Sequence, residues 1–193
     1  MTVAVLAPPR HPIVAEALTL ARAWCGEHVI DGAPALTHAV RVAAALGRYL
    51  PDVAPELVAA VLLHDAPYFA PASVDLDAVL TTRLGASVAR VVRALQREHQ
   101  QHDALAQPAG PRVPTDPWTL YASTADKIVS LAAVLRRAAV AADPAEHWRS
   151  RAAFVAQVPY LRAFHTEAAP YLPPAMAAEL GRLVANAERA TRR

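Results

Sequence analysis

The sequence has little of what marks an exported or membrane protein. A single cysteine, Cys25, excludes an internal disulfide, so we expect a reducing cytoplasmic location. The longest uninterrupted apolar run, residues 57–63, is far shorter than the ~20 residues that a membrane-spanning helix needs. The opening segment MTVAVLAPPR has no positive region ahead of its apolar stretch, which is not the pattern of a signal peptide. We therefore expect no membrane association.

Basic residues are too few and too scattered to indicate a nucleic-acid partner. The formal net charge is +2 over 193 residues, and Lys127 is the only lysine. A surface that binds polyanions normally appears as a basic stripe or cluster. The nearest candidates, Arg136 with Arg137 and the last arginines of the chain, favour solvated helix faces. We expect no nucleic-acid partner.

Length and composition indicate one globular domain. Apolar residues make up 54% of the chain and charged residues 19%, and 193 residues fall within the ~100–200 of a single domain. We expect that domain to cover residues 1–193, with a short N-terminal tail over about 1–10 and a proline-rich loop over about 104–117.

The fold class predicted by the residue pattern is all-α. Alanine is about a quarter of the chain, apolar positions recur at three and four, and no alternating strand stands out. Pro67 disfavours helical geometry at Ala66, so the third helix should end there. The predicted helices run over about 12–24, 35–50, 55–63, 75–84, 85–102, 118–141, 145–164 and 174–189, with Asp143 as a cap.

The pair His64-Asp65 follows a helix that is apolar on every side. Such a helix lies inside the domain, and titratable groups at its end are costly unless they are paired or bind a metal. Asp126 stands in a similar context, since apolar residues surround it on both sides. These residues are therefore candidates for a buried metal site.

Two imidazoles and two carboxylates form the candidate ligand set His38, His64, Asp65 and Asp126. Mixed nitrogen and oxygen donors suit a six-coordinate divalent ion such as Mn²⁺ or Fe²⁺, and the absence of thiolates argues against a structural zinc site. Such an ion lowers the pKa of bound water and polarises a phosphoryl or carbonyl oxygen. A second His-Asp pair, His102-Asp103, lies in a polar helix end and is interpreted as solvent-facing, and the remaining histidines have no distinguishing context.

The order His38, then His64-Asp65, then Asp126 resembles the H…HD…D signature of HD-domain metal-dependent phosphohydrolases. Within that superfamily the chain is most similar to the RelA/SpoT-type hydrolase domain and the small alarmone hydrolases. The segments that carry the resemblance are ALTLARAWCGEHVIDGAPALTHAVRVAAAL, LVAAVLLHD and STADKIVSLAAVL, and it extends over about residues 13–165. It implies a single helical HD-domain fold.

The resemblance implies that all four residues bind the metal, usually Mn²⁺. It also implies a small phosphorylated partner, a nucleotide related to ppGpp, from which the family removes a 3′-pyrophosphate or a phosphate. The family places Glu-Asp two residues after the His-Asp pair, whereas this chain has Ala66-Pro67-Tyr68-Phe69. Val29 and Ile30 stand where relatives carry basic residues. The ligand set is kept while the catalytic pair and the basic loop are not.

Four further residues are candidates for the catalytic and substrate-binding roles of the family residues that this chain lacks. Lys127 and Tyr68 are the candidate catalytic groups, although Lys127 can equally pair with a carboxylate and Tyr68 can equally pack on the core. Arg41, one turn after His38, and Ser130, at the position of a family asparagine, are the candidate substrate-binding groups.

Two functional hypotheses follow. The first is a divalent-metal-dependent phosphohydrolase acting on a nucleotide or related phosphorylated small molecule, with a metal-bound hydroxide attacking phosphorus. The alternative is a non-catalytic, metal-stabilised module that binds a nucleotide or a partner protein, as the lost Glu-Asp pair favours. The oligomeric state is not indicated by the sequence.

Overall fold

The structure is a computed structural model that describes residues 4–30, 32–103 and 113–192. Within these residues the fold is all-α, as predicted, with one small two-stranded ribbon. The chain divides into two compact units, Met1–His99 and Gln100–Arg193. The single HD domain expected over residues 1–193 stays a prediction.

The first unit contains six α-helices, a short 3-10 helix and the ribbon among its described residues. A short 3-10 helix, Ala4–Leu6, lies in the segment expected to be a tail. The other elements are α1 (Pro12–Cys25), β1 (Val29–Ile30), β2 (Ala33–Pro34), α2 (Ala35–Tyr49), α3 (Pro55–Leu62), α4 (Ala66–Phe69), α5 (Leu76–Leu84) and α6 (Ala86–Asp103).

The second unit is built from four helices in its described part. These are α7 (Pro117–Ala139), α8 (Pro144–Arg149), α9 (Ala152–Ala168) and α10 (Pro174–Thr191), and a 3-10 turn, Ala169–Tyr171, follows α9. Helix α10 packs against both α7 and α9. The proline-rich loop expected over about 104–117 falls largely outside the described residues.

The predicted helices are confirmed with three corrections. The helix expected over 145–164 is interrupted at residues 150–151, so that α8 and α9 are separate. The third helix ends before Pro67, as predicted, but Ala66 is itself helical, because Pro67 occupies the first turn of the new helix α4, where proline has no hydrogen bond to lose. The segment expected to be only a loop after Gly26 contains the antiparallel pairs Val29↔Pro34 and Ile30↔Ala33.

Aspartates begin three of the helices. The Asp75, Asp116 and Asp143 carboxylates accept backbone N–H groups of the first turn at 3.0, 2.9 and 3.0 Å. Each cap satisfies one of the amides that a helix start leaves without an intrahelical partner. The cap predicted at Asp143 is confirmed.

The core of the first unit forms around α3. Residues Leu57 to Leu63 are each at most 2% exposed, and α1 and α2 both pack against this helix. A helix that is apolar on every side has no face for water, so neighbours must cover it. Pro55 begins α3 and the chain leaves helical geometry at Leu63, which sets the residues that follow deep in the unit.

No helix within the described ranges combines the length and the apolar character needed to cross a bilayer.

Truncation of a core residue of α3 tests the role of this helix. Leu62 is 0% exposed, so Leu62→Ala should lower the free energy of unfolding by about 2–5 kcal/mol, through lost apolar burial and a residual cavity. Val29 is 66% exposed, so the control Val29→Ala should change it by less than about 0.5 kcal/mol. Urea denaturation followed by circular dichroism measures both, and equal effects would contradict the assignment of α3 to the core.

Candidate metal centre

His64 and Asp65 lie in the turn between α3 and α4. Leu63 leaves the helix with φ −115° and ψ 13°, and Asp65 precedes the first turn of α4. His64 is 2% exposed and Asp65 is 9% exposed. Their burial, inferred from the apolar helix before them, is confirmed. Burial of an imidazole and a carboxylate requires compensation by hydrogen bonds, an opposite charge or a metal.

A backbone hydrogen bond selects the tautomer of the neutral His64 ring. The Nδ1 atom donates to the Val61 carbonyl oxygen at 2.7 Å. In the neutral imidazole this leaves Nε2 with a lone pair rather than a proton. A backbone carbonyl on the other ring nitrogen is the usual way in which a protein orients a metal-binding histidine.

The His64 Nε2 atom and the Asp65 Oδ2 atom are 3.2 Å apart, and both are buried. With Nδ1 carrying the proton, two electron-rich atoms face each other. That juxtaposition is favourable only when a positive charge, a proton or a metal ion, is shared between them. The donor chemistry of the pair therefore fits a bound cation.

His38 completes a cluster of three ligands. It lies on α2, half-buried, with its ring centroid 5.3 Å from that of His64 and the ring planes tilted by 55°. One ligand atom from each of His38, His64 and Asp65 lies within 4.8 Å of the others. This cluster, which we call the metal cluster, can hold a metal ion.

The other predicted ligand, Asp126, lies on α7 in the second unit. Its Oδ1 atom accepts a hydrogen bond from the Ser130 hydroxyl at 3.4 Å, one turn further along the helix. Its role as a fourth ligand stays a prediction, as does the substrate-binding role of Ser130.

Lys127 is buried within the second unit. Its side chain is 6% exposed, and Nζ donates to the Ser123 hydroxyl at 3.0 Å. The ammonium also lies 4.6 Å from the Phe164 ring centroid and 5.9 Å from that of Tyr160. Cation–π attraction compensates part of the cost of burying this charge. These contacts hold Lys127 in the packing of α7 against α9, and its catalytic role stays a prediction.

Tyr68 and Arg41 belong to the first unit. Tyr68 is 46% exposed on α4, and its ring is nearly parallel to that of His99, with centroids 6.4 Å apart. Arg41 is exposed on α2, three residues after His38. This spacing places Arg41 and His38 on the same face of the helix. The substrate-binding role of Arg41 stays a prediction.

His99 is the residue beside the metal cluster that sequence reasoning passed over. Its ring lies edge-on to the His64 ring, with centroids 5.9 Å apart. The signal that could have found it is the stripe Val88, Val92, Leu95 on α6, since one further step of four along the helix reaches His99. Its neighbour Glu98 is 4% exposed, another buried charge that the sequence context did not mark.

A second aromatic contact beside the His64-Asp65 turn was also missed. His28, which precedes the ribbon, stacks on Phe69 of α4 with ring centroids 4.4 Å apart and planes at 14°. Phe69 and Tyr68 occupy the positions at which the resembling family carries Glu-Asp. Both rings therefore pack against histidines, where that family has carboxylates.

The chain matches no protein-family model, and no significant match was found among curated proteins. The resemblance to HD-domain phosphohydrolases therefore rests on the quoted segments.

Metal binding should stabilise the protein through Asp65. A divalent ion at 100 times its Kd should stabilise the native state by about 2.7 kcal/mol, which raises Tm by about 5–10 °C for a chain of this size. Asp65→Asn should abolish the increase, because it removes the anionic ligand. The exposed Asp77 provides the matched control, Asp77→Asn. Scanning calorimetry with metal analysis measures the effect, and an unchanged increase in Asp65→Asn would contradict the site.

The buried thiol of Cys25 should make stability depend on pH. Burial, reinforced by the negative charge of Asp65, raises the Cys25 pKa from 9.0 to about 12. The unfolded thiol ionises near pH 9 while the native thiol stays protonated, so the free energy of unfolding should fall as pH rises above 9. Urea denaturation at pH 8 and pH 10 should show a smaller decrease for Cys25→Ala than for the wild type. Equal decreases would contradict the shifted pKa.

Proposed function

We propose that this protein is a divalent-metal-dependent phosphohydrolase acting on a nucleotide or a related phosphorylated small molecule. The observation that carries the proposal is the metal cluster, in which the Nε2 atom of His64 lies 3.2 Å from a carboxylate oxygen of Asp65 and His38 lies close to both residues. The H…HD…D order of the sequence and its resemblance to HD-domain phosphohydrolases support the reaction class.

The ligand chemistry favours Mn²⁺, with Fe²⁺ as the second choice. The donor set consists of two imidazoles and a carboxylate, with Asp126 as a further oxygen donor. In ligand type it is intermediate between the all-oxygen sites of Mg²⁺ and the thiolate sites of zinc. Such an ion, when bound, lowers the pKa of a coordinated water and polarises a phosphoryl oxygen.

The protein's own contribution is to hold the ligands and to limit access of water. The Val61 carbonyl orients the His64 ring, and α3 buries both members of the His-Asp pair. A buried setting strengthens the electrostatic interactions that stabilise charge on a phosphoryl group. On the solvent side, Arg41 is the exposed side chain that we assign to contact with the substrate, and the exposed Tyr68 is a candidate catalytic group.

One specific version of this proposal is that the substrate is ppGpp, the substrate of the family that the sequence resembles. The Glu-Asp pair that follows the His-Asp motif in that family is replaced by Tyr68-Phe69, and its basic loop by Val29-Ile30. We therefore extend the proposed substrates to other nucleotides and phosphate esters.

The alternative is a non-catalytic binding module stabilised by its metal. The stacking of Phe69 on His28 and of Tyr68 near His99 favours it, since these positions carry no carboxylate that could activate water. The two proposals share the metal cluster and differ in turnover. The cytoplasmic location expected from the single cysteine stays a prediction.

Turnover that depends on the ligands tests the hydrolase. Purified protein with Mn²⁺ should hydrolyse at least one member of a panel of nucleotides, ppGpp and aryl phosphates. Asp65→Asn and Asp126→Asn should each lower kcat/KM by about 100-fold or more, because second-shell changes alone cost metal sites 10–100-fold and these remove ligands. Phosphate release measures the rate, with Asp77→Asn as the control.

The outcomes separate the two proposals. Ligand-dependent hydrolysis of any substrate excludes the binding module. A protein that holds the metal but hydrolyses nothing is the binding module. Full activity in Asp126→Asn would show that Asp126 is not a ligand.

A further inference from the structure

A cavity of about 570 Å³ lies within the second unit. Its lining comes from the segment before α7, the first turns of α7, the last turn of α9 and the 3-10 turn that follows α9. We call it the α7–α9 cavity, and its lining includes Pro114, Pro117, Leu120, Tyr121, Glu167 and Tyr171. Its volume falls within the ~300–1,000 Å³ of pockets that hold small organic molecules.

Apolar and aromatic side chains form most of the described lining. Leu120 is 3% exposed, and Pro114 and Pro117 come from the start of α7. Tyr121 is half-buried, whereas Tyr171 is 71% exposed and lies in contact with solvent. Such a lining favours a ligand with an apolar or aromatic body, because removing apolar area from water is favourable and flat rings pack well on tyrosine.

Glu167 is the one charged side chain among the described lining residues. The other three glutamates of the second unit, Glu146, Glu179 and Glu188, each accept hydrogen bonds from an arginine. Within the described part of the chain, the Glu167 carboxylate forms no ion pair and no hydrogen bond. A carboxylate at the edge of an apolar cavity is therefore available to a ligand of opposite charge.

The two helix ends at the cavity do not offset this negative charge. Glu167 belongs to the last turn of α9, where the backbone carbonyls carry partial negative charge. The start of α7 also meets the cavity at Pro117, but there the Asp116 carboxylate already accepts the Thr119 N–H at 2.9 Å. The electrostatics of the lining therefore favour a cation.

We propose that the α7–α9 cavity binds a small organic cation, an amine with an aromatic or other apolar body. The ammonium group pairs with Glu167 and lies against the faces of Tyr121 and Tyr171, which attract cations through their ring electrons. The apolar body covers Leu120 and the two prolines. The inference is independent of the proposed hydrolase, because the metal cluster belongs to the first unit.

Three probes that share an indole body test the charge preference in the full chain. Tryptamine carries an ammonium group, tryptophol a hydroxyl group and indole-3-propionate a carboxylate. Ligand-observed NMR titrations give the Kd of each probe. Tryptamine should bind about 5-fold more tightly than tryptophol, through one exposed ion pair and the tyrosine rings, and indole-3-propionate should bind more weakly than both.

Variants of the lining residues locate the interaction. Glu167→Gln keeps the size of the side chain and removes its charge, so it should weaken tryptamine binding about 3–5-fold and leave tryptophol binding unchanged. Glu167→Lys reverses the charge and should make indole-3-propionate the tightest of the three probes. Tyr171→Leu removes one ring and should weaken tryptamine binding about 3-fold. Glu27 is exposed in the first unit, so the control Glu27→Gln should leave all three Kd values unchanged.

The outcomes decide the inference separately from the proposed hydrolase. Equal Kd values for the three probes, or no binding of tryptamine at about 10 mM, overturn it. A preference for tryptamine that persists in Glu167→Gln also overturns it. Glu167 and Tyr171 are exposed, so the Tm of their variants should equal that of the wild type. If Glu167→Lys does not fold, the three probes and Glu167→Gln decide. A protein that prefers tryptamine through Glu167 but hydrolyses nothing supports the inference and overturns the hydrolase.

Discussion

The hydrogen bond from His64 Nδ1 to the Val61 carbonyl is the interaction on which the candidate site depends. It joins a side chain just beyond α3 to the last turn of that helix, at 2.7 Å. Because apolar contacts hold α3 on all sides, the hydrogen bond fixes the orientation of the His64 ring relative to the packed core. In the neutral ring the same bond leaves the Nε2 lone pair opposite Asp65. The cluster that this arrangement forms with His38 can hold a metal ion, and the core of the first unit thereby positions the candidate site.

In the second unit, a buried charge is stabilised by aromatic rings and a hydroxyl group. The only lysine, next to Asp126 in the sequence, has its ammonium over the Phe164 ring and hydrogen-bonded to Ser123. These contacts come from α7 and α9 themselves, and the catalytic role of Lys127 stays a prediction.

The segment after the His-Asp pair carries two aromatic residues that pack against histidines. Tyr68 and Phe69 each pack against a histidine, on α6 and before the ribbon respectively. Aromatic rings at these positions offer flat contact surfaces and, in Tyr68, one hydroxyl, where carboxylates would offer charge. The contact of the His99 ring with His64 brings one imidazole of α6 to the edge of the metal cluster.

The sequence by itself determined the helical class, most helix positions and the His64-Asp65 pair, because periodicity, capping residues and an all-apolar run are local signals. It also determined that this pair is buried, since the helix before it has no polar face. The edge-on approach of His99 to His64 and the placement of Lys127 on aromatic rings were decided only by tertiary structure. Each depends on which residues distant in the chain meet, and contacts between elements leave no periodic trace in the residues that make them.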